Sequence, residues 1–144
     1  MIYTPMTKRA LKLCFEAHKD QLDKSGMPYV FHPFHLAEQM TDEAACVVAL
    51  LHDVIEDTAY TPDDLREMGF SEEVVAAICL MTHRDGVDYM DYVAQIKTNP
   101  IARAVKLADL RHNSDVTRLD KVTAWDKKRV KKYRKAIELL EDES

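Results

Sequence analysis

The sequence of 144 residues contains only three glycines, five prolines and three cysteines, and it has no long apolar run. The cysteines are odd in number, widely spaced and without a Cys-x-x-Cys pair, so we expect neither a disulfide framework nor a cysteine-based metal site. The longest apolar run, residues 44–51, is far too short for a membrane span. The first residues lack the apolar segment of a signal peptide. These absences predict a cytoplasmic protein with no membrane partner.

A net positive charge is also absent, because 20 lysines and arginines face 25 aspartates and glutamates, which gives −5 at neutral pH. The protein therefore has no general basic field to attract nucleic acid, and an anionic substrate would need local positive charge. Residues 127–135 are an exception, with seven basic side chains. Apolar residues recur around this run at helical spacing: Val130, Tyr133, Ile137 and Leu140. We interpret the run as the solvated face of a packed helix, so no nucleic-acid partner is expected.

Helices are indicated throughout, because apolar residues recur at helical spacing and no segment shows the alternation of a strand. Capping residues, prolines and glycines suggest where these helices begin and end. The predicted helices span approximately residues 6–22, 33–40, 42–56, 62–69, 72–82, 88–97, 100–117 and 124–141. No repeat or low-complexity linker divides the chain. The sequence therefore predicts an all-α, single-domain bundle over residues 1–144, and it leaves the oligomeric state open.

Residues 42–58, DEAACVVALLHDVIEDT, form the most informative segment. Apolar side chains cover nearly the whole circumference of its predicted helix, which is typical of a buried helix. On a continuous helix, the four polar residues of its second half fall within an arc of roughly 140°; they are His52, Asp53, Glu56 and Asp57. A buried histidine with three acids is costly unless a cation balances the charge. Alternatively, the helix end frays and leaves the last two acids in solvent.

A divalent metal would balance this charge, and histidine with carboxylate ligands suits manganese, iron, zinc or cobalt. Two adjacent residues cannot complete a coordination sphere, so other segments must contribute ligands. In VKLADLRHNSD, residues 105–115, one helical face carries Lys106, Asp109 and Asn113. His112 is expected to point elsewhere, which makes Asp109 the better ligand.

A further ligand is expected in YVFHPFHL, residues 29–36, which contains two histidines three positions apart. Either His32 or His35 could serve, because spacing alone does not decide between them. The loop before this segment contains Lys24, which is a candidate to hold a substrate phosphate.

Three blocks of the chain resemble one known pattern. His32, the pair His52-Asp53, and Asp109 reproduce the H…HD…D signature of the HD-domain metallophosphohydrolases. The blocks AHKDQLDKSGMPYVFHP (17–33), LLHDVIEDT (50–58) and VKLADLRHN (105–113) are similar to those of the RelA/SpoT-type alarmone hydrolase domain. The resemblance extends over about residues 10–113.

The resemblance implies an all-helical, manganese-dependent enzyme of the stringent response. Such enzymes remove pyrophosphate from the 3′ position of guanosine tetra- and pentaphosphate. The family's synthetase is a separate α/β domain, for which this chain has no room, so a stand-alone hydrolase is expected. The implied metal ligands are His32, His52, Asp53 and Asp109. Glu56 and Asp57 would orient the metal-activated water or protonate the leaving group. The expected substrate-binding residues are Lys24, Lys106 and Asn113.

The chain departs from the family pattern at three positions before His32. Asp20, Asp23 and Met27 stand where the family has glycine, arginine and glutamate. The family's arginine is associated with the guanine base and the substrate phosphates. The sequence therefore supports metal chemistry more firmly than the alarmone substrate, unless Arg84 or Arg111 supplies the missing charge.

Two alternatives follow from these departures. A nucleotide or dinucleotide phosphatase could use the same metal centre on another small-molecule substrate. A non-catalytic regulator could bind metal and nucleotide, although it would have no need of the acidic pair Glu56-Asp57.

Overall fold

A computed structural model describes residues 1–143, which form nine α-helices and one short 3-10 helix and contain no strand. The helices are α1 (Pro5–His18), α2 (Phe31–Glu38), α3 (Glu43–Leu51), α4 (Val54–Asp57), α5 (Pro62–Glu67), α6 (Glu72–Leu80), α7 (Tyr89–Lys97), α8 (Pro100–Asn113), the 3-10 helix (Val116–Arg118) and α9 (Ala124–Glu141). The prediction of an all-α fold is therefore confirmed. Over the described residues, no helix combines the length and apolarity that crossing a membrane requires.

The helix starts that were predicted from capping residues are also confirmed. Each cap is a side-chain oxygen that accepts a hydrogen bond from the amide three residues later, at Thr61, Ser71, Asn99 and Thr123. Such a bond satisfies an amide that has no partner within the helix. Helix ends were predicted less well: α1 ends at His18 rather than near residue 22, and α8 ends at Asn113 rather than near residue 117.

Helix α3 lies at the centre of the fold and packs against α1, α2, α6 and α8. Residues 45–51 are all buried, as the apolar circumference of this segment predicted. Because α3 ends inside the bundle, the polar residues that follow Leu51 begin in the interior rather than at the surface.

The prediction of one continuous helix from residue 42 to residue 56 is wrong. Helix α3 ends at Leu51, and α4 begins at Val54. The carbonyl of Ala49 lies 2.7 Å from Nδ1 of the His52 side chain; in an unbroken helix it would accept the amide hydrogen of Asp53. The break falls at the two residues with the strongest metal-ligating character, so the angles of a continuous helix do not apply to Glu56 and Asp57.

Candidate metal centre

Three side chains from different parts of the chain converge in the interior of the bundle. His32 comes from α2, His52 follows α3, and Asp109 belongs to α8; all three are buried. Their ligand atoms all lie within 4.8 Å of one another. Nε2 of His32 lies 2.8 Å from Oδ1 of Asp109, and Nε2 of His52 lies 3.7 Å from the same oxygen. Two imidazoles and a carboxylate are a donor set that suits a divalent transition metal.

The hydrogen bonding of His52 fits a metal ligand. Nδ1 of His52 donates to the Ala49 carbonyl, which leaves the lone pair on Nε2. Nε2 is buried and has no well-oriented hydrogen-bond partner among the described residues. Burial alone would lower the pKa of His52, but the negative charges of Asp53 and Asp109 raise it well above its usual value. The position therefore calls for a positive charge, which a metal ion would supply.

Asp53 borders this cluster. Its Oδ2 lies 3.1 Å from Nε2 of His52 and accepts a hydrogen bond from the Tyr29 hydroxyl. Burial would raise the pKa of Asp53, but the adjacent His52 lowers it to about 2, so the side chain is a carboxylate at neutral pH. The structure thus brings Asp53 beside the three converging ligands, with Tyr29 fixing its orientation.

Lys106 and Asn113 both contact the ligand Asp109. Nζ of Lys106 lies 3.0 Å from Oδ2 of Asp109, and Nδ2 of Asn113 donates to Oδ1 at 3.0 Å. Burial would raise the pKa of Asp109, but the charge of Lys106 holds it well below its usual value. In the structure Lys106 and Asn113 both orient this carboxylate, and Lys106 also balances its charge. Both residues line the pocket beside the cluster as well, so their role in substrate binding stays a prediction.

His112 also contacts the cluster, so the expectation that it points elsewhere is wrong. Nδ1 of His112 lies 2.7 Å from Nδ1 of His32, and the two rings stack with centroids 5.0 Å apart. Burial and the charge of Arg118 lower the pKa of His112 to about 4, so the ring is neutral and can accept the His32 proton. That arrangement leaves Nε2 of His32 free for a metal. His112 is three residues from Asp109, and such residues are neighbours on a helix, which is the signal that the sequence offered.

The structure also separates the two histidines of α2. His32 is buried in the cluster, whereas His35 is exposed and its ring lies tilted against that of His112 with centroids 4.3 Å apart.

Glu56 and Asp57 are both exposed, and only Glu56 lines the site. Glu56 borders a pocket of about 230 Å³ that also exposes Asp53, Lys106 and Asp109. Burial and the charge of Asp53 raise the pKa of Glu56. Asp57 is not among the residues that line this pocket. Partial burial and the charge of Asp53 raise the pKa of Asp57, while the charges of His18 and His52 oppose the rise.

The loop before α2 shows how this chain uses Asp23. Its Oδ1 accepts hydrogen bonds from the backbone amides of Ser25 at 2.9 Å and Met27 at 3.0 Å, while Oδ2 lies 3.6 Å from Nη2 of Arg118. Exposed Lys24 borders a small cavity of about 60 Å³ that Asp23, Asn113 and Arg118 also line. The Asp23 carboxylate therefore stabilises the turn and lies beside Arg118, a cation that the sequence analysis did not identify.

The two arginines considered from the sequence lie in other surroundings. Arg111 forms an exposed ion pair with Glu141 at 2.5 Å. Arg84 borders a separate cavity of about 650 Å³, together with Cys79 and Leu80. Arg118 is the arginine that accompanies Asp23.

Removing the hydroxyl of Tyr29 is expected to weaken metal binding without unfolding the protein. Tyr29→Phe leaves the ring in place but frees the Asp53 carboxylate, and loss of such an outer contact typically costs about 10- to 100-fold in metal affinity. Competition titration of Mn²⁺ against a chelator measures the effect. Tyr3→Phe, at a side chain that is 64% exposed, is the matched control. Equal affinities for the two variants would show that the Tyr29 contact does not position a ligand.

No family model matches the chain. The chain is 33% identical over 135 residues to the mouse protein named guanosine-3′,5′-bis(diphosphate) 3′-pyrophosphohydrolase MESH1, covering 83% of this chain and 74% of that protein. It is 34% identical over 148 residues to a GTP pyrophosphokinase of Streptomyces coelicolor, covering 93% of this chain. It spans only 16% of that longer bacterial protein.

A solved structure shows the same fold. It is described as a metazoan ortholog of SpoT that hydrolyzes ppGpp and plays a role in starvation responses. The match has a TM-score of 0.76 and 22% sequence identity, and it covers 98% of this chain and 88% of that one. Because mouse MESH1 is matched over most of its own length, the relationship is not confined to a fragment. The chain belongs to the family of guanosine-3′,5′-bis(diphosphate) 3′-pyrophosphohydrolases that includes mouse MESH1.

Proposed function

We propose that this protein is a manganese-dependent phosphohydrolase that removes pyrophosphate from the 3′ position of guanosine 3′,5′-bis(diphosphate). The observation that carries the proposal is the buried cluster of His32, His52 and Asp109, which lies beside a pocket containing Glu56. The names of the matched relatives support the substrate class. The donor set also suits iron, zinc or cobalt.

The roles of the surrounding residues follow from their contacts. His32, His52, Asp109 and the adjacent Asp53 would hold the metal, which would supply a water of lowered pKa and polarisation of a phosphoryl oxygen. Glu56, on the pocket wall, is placed to take a proton from that water or to give one to the leaving oxygen, and its raised pKa suits such an exchange. Asp57 would assist Glu56 in this exchange.

Other residues prepare the site before substrate arrives. Lys106 and Asn113 hold the Asp109 carboxylate, and Tyr29 holds that of Asp53. His112 receives the Nδ1 proton of His32. In this proposal Lys106 and Asn113 act mainly through Asp109, and Lys24 with Arg118 faces the substrate from the loop cavity.

Product analysis tests the proposal. The protein is loaded in turn with Mn²⁺, Fe²⁺, Zn²⁺ and Co²⁺ and incubated with guanosine tetraphosphate, and the products are separated by anion-exchange chromatography. We expect guanosine diphosphate and pyrophosphate in equal amounts, most rapidly with Mn²⁺ and not after chelation. Release of orthophosphate from simpler nucleotides, with no attack on the tetraphosphate, would instead show a nucleotide phosphatase.

A phosphatase with a different or broader substrate range is the second candidate, and Asp23 is the observation that favours it. The side chain lies beside Arg118, and both residues line a cavity that also exposes His32 and His112. A carboxylate at this position repels a polyphosphate and partly neutralises the nearby guanidinium. Substrates with fewer charges are therefore penalised less than the tetraphosphate.

Neutralising Asp23 is expected to improve the use of highly charged substrates. Asp23→Asn keeps an oxygen that can accept from the Ser25 and Met27 amides, so the turn survives, but it removes the repulsion. We expect KM to fall by about 3- to 10-fold for guanosine tetraphosphate and less for a nucleoside monophosphate, from Coulomb energies at an effective dielectric near 20. Asp63→Asn on α5, an exposed aspartate paired with Arg66, is the control. If KM for the tetraphosphate does not change, and Asp23→Arg gains nothing either, Asp23 lies outside the substrate site.

A further inference from the structure

The basic run of α9 was interpreted as a solvated face, but one of its lysines turns towards the candidate site. Nζ of Lys132 lies 4.0 Å from the centroid of the Tyr89 ring. Lys132 and Tyr133 both border the pocket of about 230 Å³ that exposes Glu56 and Asp109. Helix α9 therefore forms one wall of this pocket, because it packs against α7 and α8.

The charges of the pocket are unevenly distributed. Its metal-facing side carries the carboxylates of Asp53, Glu56 and Asp109. The other lysine of the pocket, Lys106, is already paired with Asp109 at 3.0 Å. Lys132 forms no ion pair with a carboxylate among residues 1–143. Its Nζ instead faces the aromatic ring of Tyr89. Lys132 is thus the cation of this pocket that remains available to a bound anion.

Tyr89 supplies a second group that is suited to an anion. Its hydroxyl oxygen is buried and has no hydrogen-bond partner within the described part of the chain. Burial raises the pKa of Tyr89 to about 12, so the hydroxyl keeps its proton and can donate. A lysine held over an aromatic ring is partly ordered in advance, and a phosphate group would accept from both the ammonium and the hydroxyl.

We propose that Lys132, together with the Tyr89 hydroxyl, binds a phosphate group of the substrate other than the one that is cleaved. The inference rests on the proposed function and deepens it, since Lys132 would select nucleotides that carry phosphate at two positions. Such a substrate needs a cation at this end of the pocket, where the acidic metal-facing side would otherwise repel its second phosphate group.

Kinetics on two substrates test this role. With the Mn²⁺-loaded protein, Lys132→Gln should raise KM for guanosine 3′,5′-bis(diphosphate) about tenfold, the effect of losing one charge-assisted hydrogen bond, with kcat nearly unchanged. For guanosine 3′-diphosphate, which has a free 5′ hydroxyl, the same variant should behave as the parent. Lys132→Arg should largely restore KM. Lys131→Gln, an exposed neighbour on α9 that is not among the pocket residues, is the matched control. An equal effect on both substrates, or none on either, overturns the proposal.

A binding measurement separates this inference from the proposed activity. Guanosine diphosphate carries its phosphates at the 5′ position only. It has no 3′ pyrophosphate to be cleaved, so its binding can be measured without turnover. Isothermal titration of this nucleotide should give a Kd about tenfold weaker for Lys132→Gln than for Lys131→Gln. If the parent cleaves neither substrate but this difference is found, the proposed reaction fails and the phosphate position stands. Equal Kd values, or no measurable binding by the parent, refute the role of Lys132 even if the tetraphosphate is hydrolysed.

Discussion

Replacing His52 by alanine is expected to abolish metal retention and hydrolysis together. The side chain is 2% exposed, and its Nε2 points at the carboxylates of Asp53 and Asp109. Without the imidazole, the site keeps two closely spaced negative charges and loses the ligand that joins α3 to the cluster. Loss of a contact that merely orients a ligand typically weakens metal binding by about 10- to 100-fold, and loss of the ligand itself should cost more. Elemental analysis of the purified variant after incubation with Mn²⁺ should therefore find less than about a tenth of the parental content, and turnover should fall below detection.

The control for this experiment is His35→Ala. His35 is exposed, contacts the ring of His112 and does not belong to the cluster of ligands, so this variant should keep its metal. Asp53→Ala is the variant that decides whether the fourth ligand is correctly assigned. Full metal occupancy in Asp53→Ala would reduce the centre to the three converging residues, and full occupancy in His52→Ala would refute the centre altogether.

Replacing Glu56 by glutamine is expected to separate catalysis from metal binding. Glu56 borders the pocket but lies outside the cluster of ligands, and glutamine keeps its size while removing its capacity to exchange a proton. The variant should retain a full complement of metal and lose about 10²- to 10⁴-fold in kcat, the usual contribution of a general acid or base. Stopped assays of pyrophosphate release, with metal content measured on the same samples, give both quantities.

Asp57→Asn completes this comparison. The resemblance assigns Asp57 the same role as Glu56, although Asp57 does not line the pocket that Glu56 borders. A comparable loss in Asp57→Asn would show that the two acids act together across the metal. Parental rates for both variants would instead mean that the acids form a solvated helix end, as the sequence alone also allowed.

Much of the fold could be predicted from the sequence because the signals are local. The side chains of Thr61, Ser71, Asn99 and Thr123 cap the helices that they were expected to start. A cap acts within four residues, so it can be recognised without knowledge of the packing. The apolar circumference of residues 45–51 likewise predicted correctly that α3 is the buried helix.

What could not be predicted depends on contacts between distant segments. The break after Leu51 reflects a hydrogen bond from His52 to the Ala49 carbonyl, which competes with the regular helix. The choice between His32 and His35 depended on how α2 packs against α8, because both histidines follow the same local pattern. The position of Lys132 in the pocket required the packing of α9 against α7, for which a run of basic residues gives no signal.

Anomalous diffraction from crystals of the Mn²⁺-loaded protein tests the central claim most directly. Data collected on both sides of the manganese absorption edge locate the metal independently of any assumption about its ligands. The account predicts one strong peak within coordination distance of His32 Nε2, His52 Nε2 and an oxygen of Asp109, bordered by the carboxylate of Asp53. A peak elsewhere, or an empty cluster in crystals that hold manganese at another position, would contradict the metal centre on which the proposed hydrolysis depends.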